Sequence, residues 1–234
     1  MTDALKLGFS SFATPTKGVL VVFCDDGLNF GAATKKAIGS AIDVVTRVAK
    51  AERFTGKKNS TLDLTVPPGL EVSRLAVIGL GKIAELKPND FLKLGGLALG
   101  RLPNATSDAT VFAEIPGGAM RPEQAASLAQ GARLRAYAFD RYKTKRKEDE
   151  KSPKVRNVTI AVGDVAAVRT AFNPRSAITD GVLLARDLVN EPANVLYPEE
   201  FARRTLALKK LRVAVEVLDV RAMKKLGMNA LIGV

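Results

Sequence analysis

Histidine is absent from the 234 residues, and cysteine occurs once, at Cys24. The first absence removes the commonest general base and the commonest zinc ligand, so these residues can hold neither a serine or cysteine triad nor a Cys/His zinc site. Any metal bound here would need a cage of carboxylates. The second absence excludes an internal disulfide, in keeping with a reducing compartment. No apolar run approaches the ~18 residues of a membrane span. The opening Met1-Thr2-Asp3-Ala4 lacks the basic-then-apolar pattern of a signal peptide, and no internal repeat is visible. A cytoplasmic protein with no membrane partner is the expectation.

What is present is ordinary in amount and uneven in placement. Hydrophobic residues make up 47% and charged residues 26%, values that suit a globular protein and argue against disorder or a fibrous repeat. The length allows one large domain, or one domain and part of another. The net charge of +12 gathers between positions 141 and 156, where Arg141, Lys143, Lys145, Arg146, Lys147, Lys151, Lys154 and Arg156 meet only Glu148, Asp149 and Glu150. Charge runs are usually solvated loops. The alternative is a surface for DNA or another polyanion, centred on Arg141, Lys143, Lys145, Arg146 and Lys147.

Apolar periodicity gives the fold class. Residues 18–24 form a nearly continuous apolar run, the mark of a strand covered on both faces. A helical stripe follows over 33–53. Alternation at 62–66, the turn Pro67-Pro68-Gly69 and a buried run at 75–78 read as a hairpin, one antiparallel element in a mostly parallel sheet. A helix over 91–102 carries Gly95-Gly96, a pair suited to close packing. A strand over 110–115, a helix opened by Pro122, a strand over 155–162 and a helix over 177–189 continue the alternation. The stripe of that last helix is Ile178, Val182, Ala185 and Val189. The pattern predicts a three-layer α/β/α domain with a mixed sheet over 1–165. After Pro192 come a helix from Pro198, a strand over 213–218, a helix over 220–226 capped by Gly227, and a strand beginning at 230–234. Stopping inside a core-forming strand suggests truncation, so 166–234 is read as a connecting helix and an incomplete second α/β unit.

Three short stretches invite a ligand. Asp25-Asp26 ends the first buried strand, where a turn is the commoner role for Asp. Val77-Ile-Gly79-Leu-Gly81 has the opening of a dinucleotide fingerprint, although Pro88 keeps a helix from leaving that turn directly. Pro116-Gly117-Gly118 could approach a phosphate or simply link strand to helix.

The segment Leu184-Ala-Arg-Asp-Leu-Val-Asn-Glu-Pro-Ala-Asn-Val-Leu196, followed by Pro198-Glu-Glu-Phe-Ala202, is an elbow between helices. Pro192 pushes Glu191 out of the helical region, and Asn190 and Asn194 can bond backbone groups freed at the break. It also closely resembles the segment that opens the catalytic domain of the leucyl (cytosol) aminopeptidase family. Gly131-Ala-Arg-Leu-Arg-Ala-Tyr-Ala-Phe-Asp-Arg-Tyr-Lys-Thr-Lys145 resembles the last helix region of that family's N-terminal domain, and Met223-Lys-Lys-Leu-Gly-Met-Asn-Ala-Leu-Ile-Gly-Val234 its next βα segment. Tyr197 departs from the small hydroxyl residue usual there, and cannot cap the following helix as Ser or Thr would.

The resemblance implies a macro-domain-like N-terminal domain on the outside of a hexamer, and a catalytic domain in which two divalent ions, manganese or zinc, activate water and polarise the scissile carbonyl of a peptide. The family's ligands are a lysine and carboxylates in motifs such as Asn-Thr-Asp-Ala-Glu-Gly-Arg. No such motif occurs in this sequence. No catalytic, cofactor-binding or metal-binding residue is therefore carried over, and an inactive, architectural chain is expected. Two other readings stand beside it. One is binding of DNA through the basic stretch, known for some members of the family; the other is binding of a small ligand such as ADP-ribose.

Overall fold

Residues 5–145 and 156–233 are described by the computed structural model. They fall into two compact units, 1–183 and 184–234.

The first unit is built on a six-stranded sheet. Its strands are β1 (Leu5–Ser11), β2 (Val19–Cys24), β3 (Thr61–Thr65), β4 (Arg74–Gly79), β5 (Asp108–Phe112) and β8 (Arg156–Val162), in the spatial order β1-β8-β5-β2-β4-β3. All neighbours are parallel except β3 and β4, which pair as the expected hairpin with Leu62 opposite Val77. All six residues of β2 are buried, because both of its faces are covered. Val19, Val21 and Phe23 meet α3 (Pro88–Gly100), α4 (Pro122–Ala136) and the start of α5 (Val165–Asn190) through Leu94, Leu128 and Val168. Leu20, Val22 and Cys24 meet α1 (Ala32–Ile38) and α2 (Ala41–Ala51) through Ile38, Ala41 and Val45. Two cores on opposite faces of one sheet make the three layers that the periodicity predicts. Each buried Val, Leu or Phe side chain contributes about 1.5–3 kcal/mol.

Helices α3 and α4 pack closely at two glycines. A Cβ on Gly95 would overlap the Leu128 carbonyl, and one on Gly131 would overlap the Leu92 carbonyl. Gly96, the other half of the pair in the sequence, has ordinary clearance. Arg133 and Arg175 fasten α5 alongside α4: Arg133 donates to Ser176 Oγ (2.7 Å) and Asp180 Oδ1 (2.8 Å), and Arg175 to Gln130 Oε1 (3.2 Å).

Several expectations need correction. The helix over 33–53 breaks at Gly39, whose φ of +48° ends α1 before α2 begins. Strand β1, at the sheet edge beside β8, was not foreseen. The strand over 110–115 kinks at Ala113, so that β6 (Glu114–Ile115) leaves the sheet and pairs with β7 (Gly118–Ala119). Helix α5 starts at Val165 rather than 177 and passes through Pro174. Its buried residues are Val168 and Thr179, whereas Ile178 and Val189 of the expected apolar stripe are exposed.

In the second unit, α6 (Pro198–Leu206), α7 (Val220–Lys225) and α8 (Asn229–Ile232) are present, with a 3₁₀ turn over Ala207–Leu211. The strand expected over 213–218 is irregular, and the strand expected from 230 is replaced by α8. Strands need partners for their backbone groups, and none of the six sheet strands comes from this unit. Helix α7 ends before Gly227 as expected.

Candidate functional site

Strands β2, β4 and β5 point their carboxyl ends at one edge of the sheet, the edge where ligands of open α/β folds gather. The three ligand-like stretches of the sequence follow these strands. At each of them the chain's own groups occupy the turn.

Asp25 closes its own turn. Its Oδ1 accepts from the N–H groups of Gly27 (2.9 Å) and Asn29 (2.8 Å), and both oxygens accept from Asn29 Nδ2 at 3.1 and 3.0 Å. Burial pushes this carboxyl up, but the bonds from Asn29 and Gly27 outweigh it and hold the group below the ordinary aspartate value. Asp26 is exposed beside it. The pair makes a turn. Cys24, just before, is fully buried, and burial followed by the Asp25 charge pushes its thiol up to about 12, far from a thiolate nucleophile at neutral pH.

Gly79 and Gly81 admit backbone rather than phosphate. A Cβ on Gly79 would overlap the Lys57 carbonyl and the Gly56 main chain. The strand end bonds this segment directly, with Asn59 N–H donating to Gly79 O (2.9 Å), Gly79 N–H to Ser60 O (2.9 Å) and Gly81 N–H to Gly56 O (2.9 Å). Helix α3 follows from Pro88. Asp90 at its start accepts from Lys58 Nζ (2.7 Å) and from the Lys87 N–H (2.8 Å). The Lys58 bond first, then Lys87, holds the Asp90 carboxyl below its ordinary value.

Pro116, Gly117 and Gly118 form the turn between β6 and β7, with φ of +105° and +135° at the glycines. The polar residue of this hairpin is Glu114, only 3% exposed. Its carboxylate accepts from Ala33 N–H (2.9 Å), Thr34 N–H (2.7 Å) and the Thr34 hydroxyl (2.7 Å), which satisfies the first turn of α1. A Cβ on Gly31 would collide with that carboxylate. The sequence reading missed Glu114; its signal was an acid inside the otherwise apolar run Val111-Phe-Ala-Glu-Ile115.

The basic stretch is partly described. Arg141 places its guanidinium 5.8 Å from the Phe139 ring centre, and Lys143 and Lys145 are exposed; Arg146 and Lys147 lie outside the described residues. Arg156 belongs to β8 and is structural: it donates to the carbonyls of Thr106 (3.0 Å), Pro103 (3.2 Å) and Asn104 (3.3 Å).

The elbow after α5 is held by charge. The turn is closed by Val195 and Leu196 N–H groups donating to the Pro192 carbonyl at 2.9 Å. The Glu191 side chain is fully buried and accepts from Arg204 Nη1 (3.2 Å), and Arg204 Nε reaches Glu200 (2.7 Å). Glu200 also takes two bonds of 2.6 Å from Arg203. Those bonds, from Arg203 and then Arg204, lower its carboxyl to about 2. Tyr197 makes no side-chain cap to α6, as the sequence implied.

Among the described residues no three acidic or thiol side chains come together as ligands of one metal ion. No helix of the described residues is long and apolar enough to cross a membrane.

The N-terminal domain model of the cytosol aminopeptidase family matches residues 19–146, and that family's catalytic domain model matches residues 183–234. This chain belongs to the cytosol aminopeptidase family. Probable cytosol aminopeptidases of Rhodopseudomonas palustris (strain TIE-1) and Bradyrhizobium sp. (strain BTAi1 / ATCC BAA-1182) are each 56% identical over all of the chain and 47% of their own length. The chain thus spans about half the length of the curated relatives it matches. Among solved structures, a tomato leucine aminopeptidase mutant shares the fold at 19% identity, with a TM-score of 0.76 over 95% of this chain and 46% of its own. The bottromycin maturation enzyme BotP, in a structure with Mn, shares it at 20% identity, with a TM-score of 0.59 over 83% and 36%. The aminopeptidase resemblance of residues 131–145, 184–202 and 223–234 is therefore correct.

Proposed function

We propose that these residues are the N-terminal domain and the opening stretch of the catalytic domain of a metal-dependent aminopeptidase, which releases N-terminal amino acids, leucine among them, from peptides. The observation that carries this reading is the succession of the two family matches along one chain. The N-terminal domain ends near residue 165, and a connecting helix leads into the catalytic part. The longer protein works in the cytoplasm as a hexamer with this domain outermost. Two divalent ions, manganese or zinc, supply the activated water and the polarised carbonyl when bound. The solved structure of BotP in complex with Mn supports manganese. The described side chains do not fit such a pair, and no chemical step is assigned to them. Their part is architectural.

No observation favours the alternatives. Asp25, Asp90 and Glu114 are spent on turn and helix-start hydrogen bonds, and Arg156 of the basic stretch is engaged with carbonyls.

The test compares the 234-residue chain with the same residues continued by the downstream half of the Rhodopseudomonas palustris relative. With manganese or zinc, the chain alone is expected to leave a leucine anilide intact, and the joined chain to cleave it and to scatter light as a hexamer. Robust turnover by a homogeneous preparation of the chain alone overturns the architectural role. A folded joined chain that cleaves no aminoacyl anilide overturns the peptidase reading.

A further inference from the structure

The chain contains two Asp-Gly bonds, Asp26-Gly27 and Asp180-Gly181. Aspartyl peptides rearrange most readily at such a bond, because glycine has no side chain to shield its amide nitrogen. The lone pair of that nitrogen attacks Cγ of the aspartate. The N–C bond forms, the Cγ–OH bond breaks, and the hydroxyl leaves with the amide proton as water. Water then opens the cyclic imide at either carbonyl, restoring aspartate or leaving isoaspartate, whose main chain runs through Cβ. Nothing but water is exchanged.

We propose that Asp26-Gly27 is this protein's site of spontaneous isoaspartate formation, and that the Asp25 carboxylate, bonded to the Gly27 N–H, is the brake that slows it.

The two bonds differ in their surroundings. Asp180-Gly181 lies inside α5, where the backbone is held helical, and Asp180 Oδ1 accepts from Arg133 at 2.8 Å. Closing the imide swings the glycine peptide plane about the Cα–C bond of the aspartate, which a continuing helix opposes. Asp26 and Gly27 are both exposed, in the turn between β2 and α1. That turn is open to reaction.

It is also restrained. Asp25 Oδ1 accepts from the Gly27 N–H at 2.9 Å, and the Asp25 carbonyl accepts from the Leu28 N–H at 3.1 Å. Leu28 sits at a φ of +58°, which a leucine keeps only where neighbouring bonds fix it. A peptide nitrogen becomes nucleophilic as its proton departs. A carboxylate on that proton stabilises the N–H form, and its charge opposes a second negative charge on the nitrogen. The same bond pins the peptide plane that has to swing.

Ageing the native 234-residue chain in warm, mildly acidic buffer tests this. An isoaspartyl methyltransferase counts the product, and electron-transfer fragmentation of peptides locates it. The chain in urea gives the unrestrained rate at both bonds. Native protein is expected to convert at residue 26 more slowly than in urea, and at residue 180 more slowly still. Asp25→Ala is expected to speed native conversion at 26 about tenfold, the effect of losing a hydrogen bond to a charged acceptor. Asn29→Ala removes the Nδ2 bonds to both Asp25 oxygens but leaves the Gly27 bond, so its rate is expected to stay near that of the unmodified sequence. Cys24, buried in the folded chain, stays silent to a maleimide when a variant is folded. If Asp25→Ala exposes it, Asp25→Asn, with a neutral acceptor at the same place, decides by the same criterion. Native conversion at 180 as fast as at 26, or none at 26 in any folded variant, overturns the site. An unchanged or slower rate in Asp25→Ala overturns the brake; a slower one means that the carboxylate serves as a base. Equal acceleration by Asn29→Ala also overturns it, since general loosening of the turn then suffices.

Discussion

Glu114 holds the start of α1 by accepting three hydrogen bonds on two buried oxygens. Glu114→Ala leaves two N–H groups and a hydroxyl without an acceptor, and is expected to lower unfolding stability by about 2–4 kcal/mol in urea titrations. Thr34→Val removes only the hydroxyl bond and is expected to cost about 1 kcal/mol. Similar small losses for both would show that the carboxylate is dispensable. Sequence reading did not reach this residue because its partners lie 80 positions away. Asp25, by contrast, was legible: its partners are within four residues, so local turn chemistry alone decides its role.

At the scale of elements, the paired glycines separate a contact from a coincidence. Gly95→Ala and Gly131→Ala force a methyl group against a backbone carbonyl and are expected to destabilise the chain despite the better helix propensity of alanine. Gly96→Ala has room, with its nearest neighbour at 3.8 Å, and is expected to add about 0.5–1 kcal/mol. Thermal melts of the three variants test the ordering. Helix α6 carries a pH prediction. The Glu200 carboxyl is lowered by its arginines, so its support of α6 is complete above the ordinary value of 4.5 and is lost as pH falls toward about 2. A carbon-detected NMR titration is expected to find the Glu200 midpoint near 2, and Arg203→Gln to raise it. The elements themselves were legible where burial is two-sided, as in β2, or where turn residues set the register, as in the β3–β4 hairpin. They were illegible where a partner decides: residues 213–218 alternate like a strand but pair with no strand among the described residues.

At the scale of the molecule, apolar burial is confined to one stretch of chain. Every buried apolar side chain among the described residues lies between Leu5 and Val168. Limited proteolysis is therefore expected to remove residues beyond about 190 quickly and to leave a resistant fragment containing both cores. Mass spectrometry of the products checks this, and rapid cutting within β2, β4 or β5 would contradict it. The overall class was legible because alternating periods of strand and helix depend on the chain alone.

The sheet also differs between its two sides. On β3, Asp63 sits in mid-strand between Arg74 at 3.6 Å and Arg101 at 2.7 Å, so any incoming strand there would confront a clustered ionic triplet. On β1 the exposed positions are Lys6, Gly8 and Ser11, a single charge in place of the triplet. Association by strand addition thus has a polarity built in, and misassembled material is expected to extend from the β1 flank more readily than from β3.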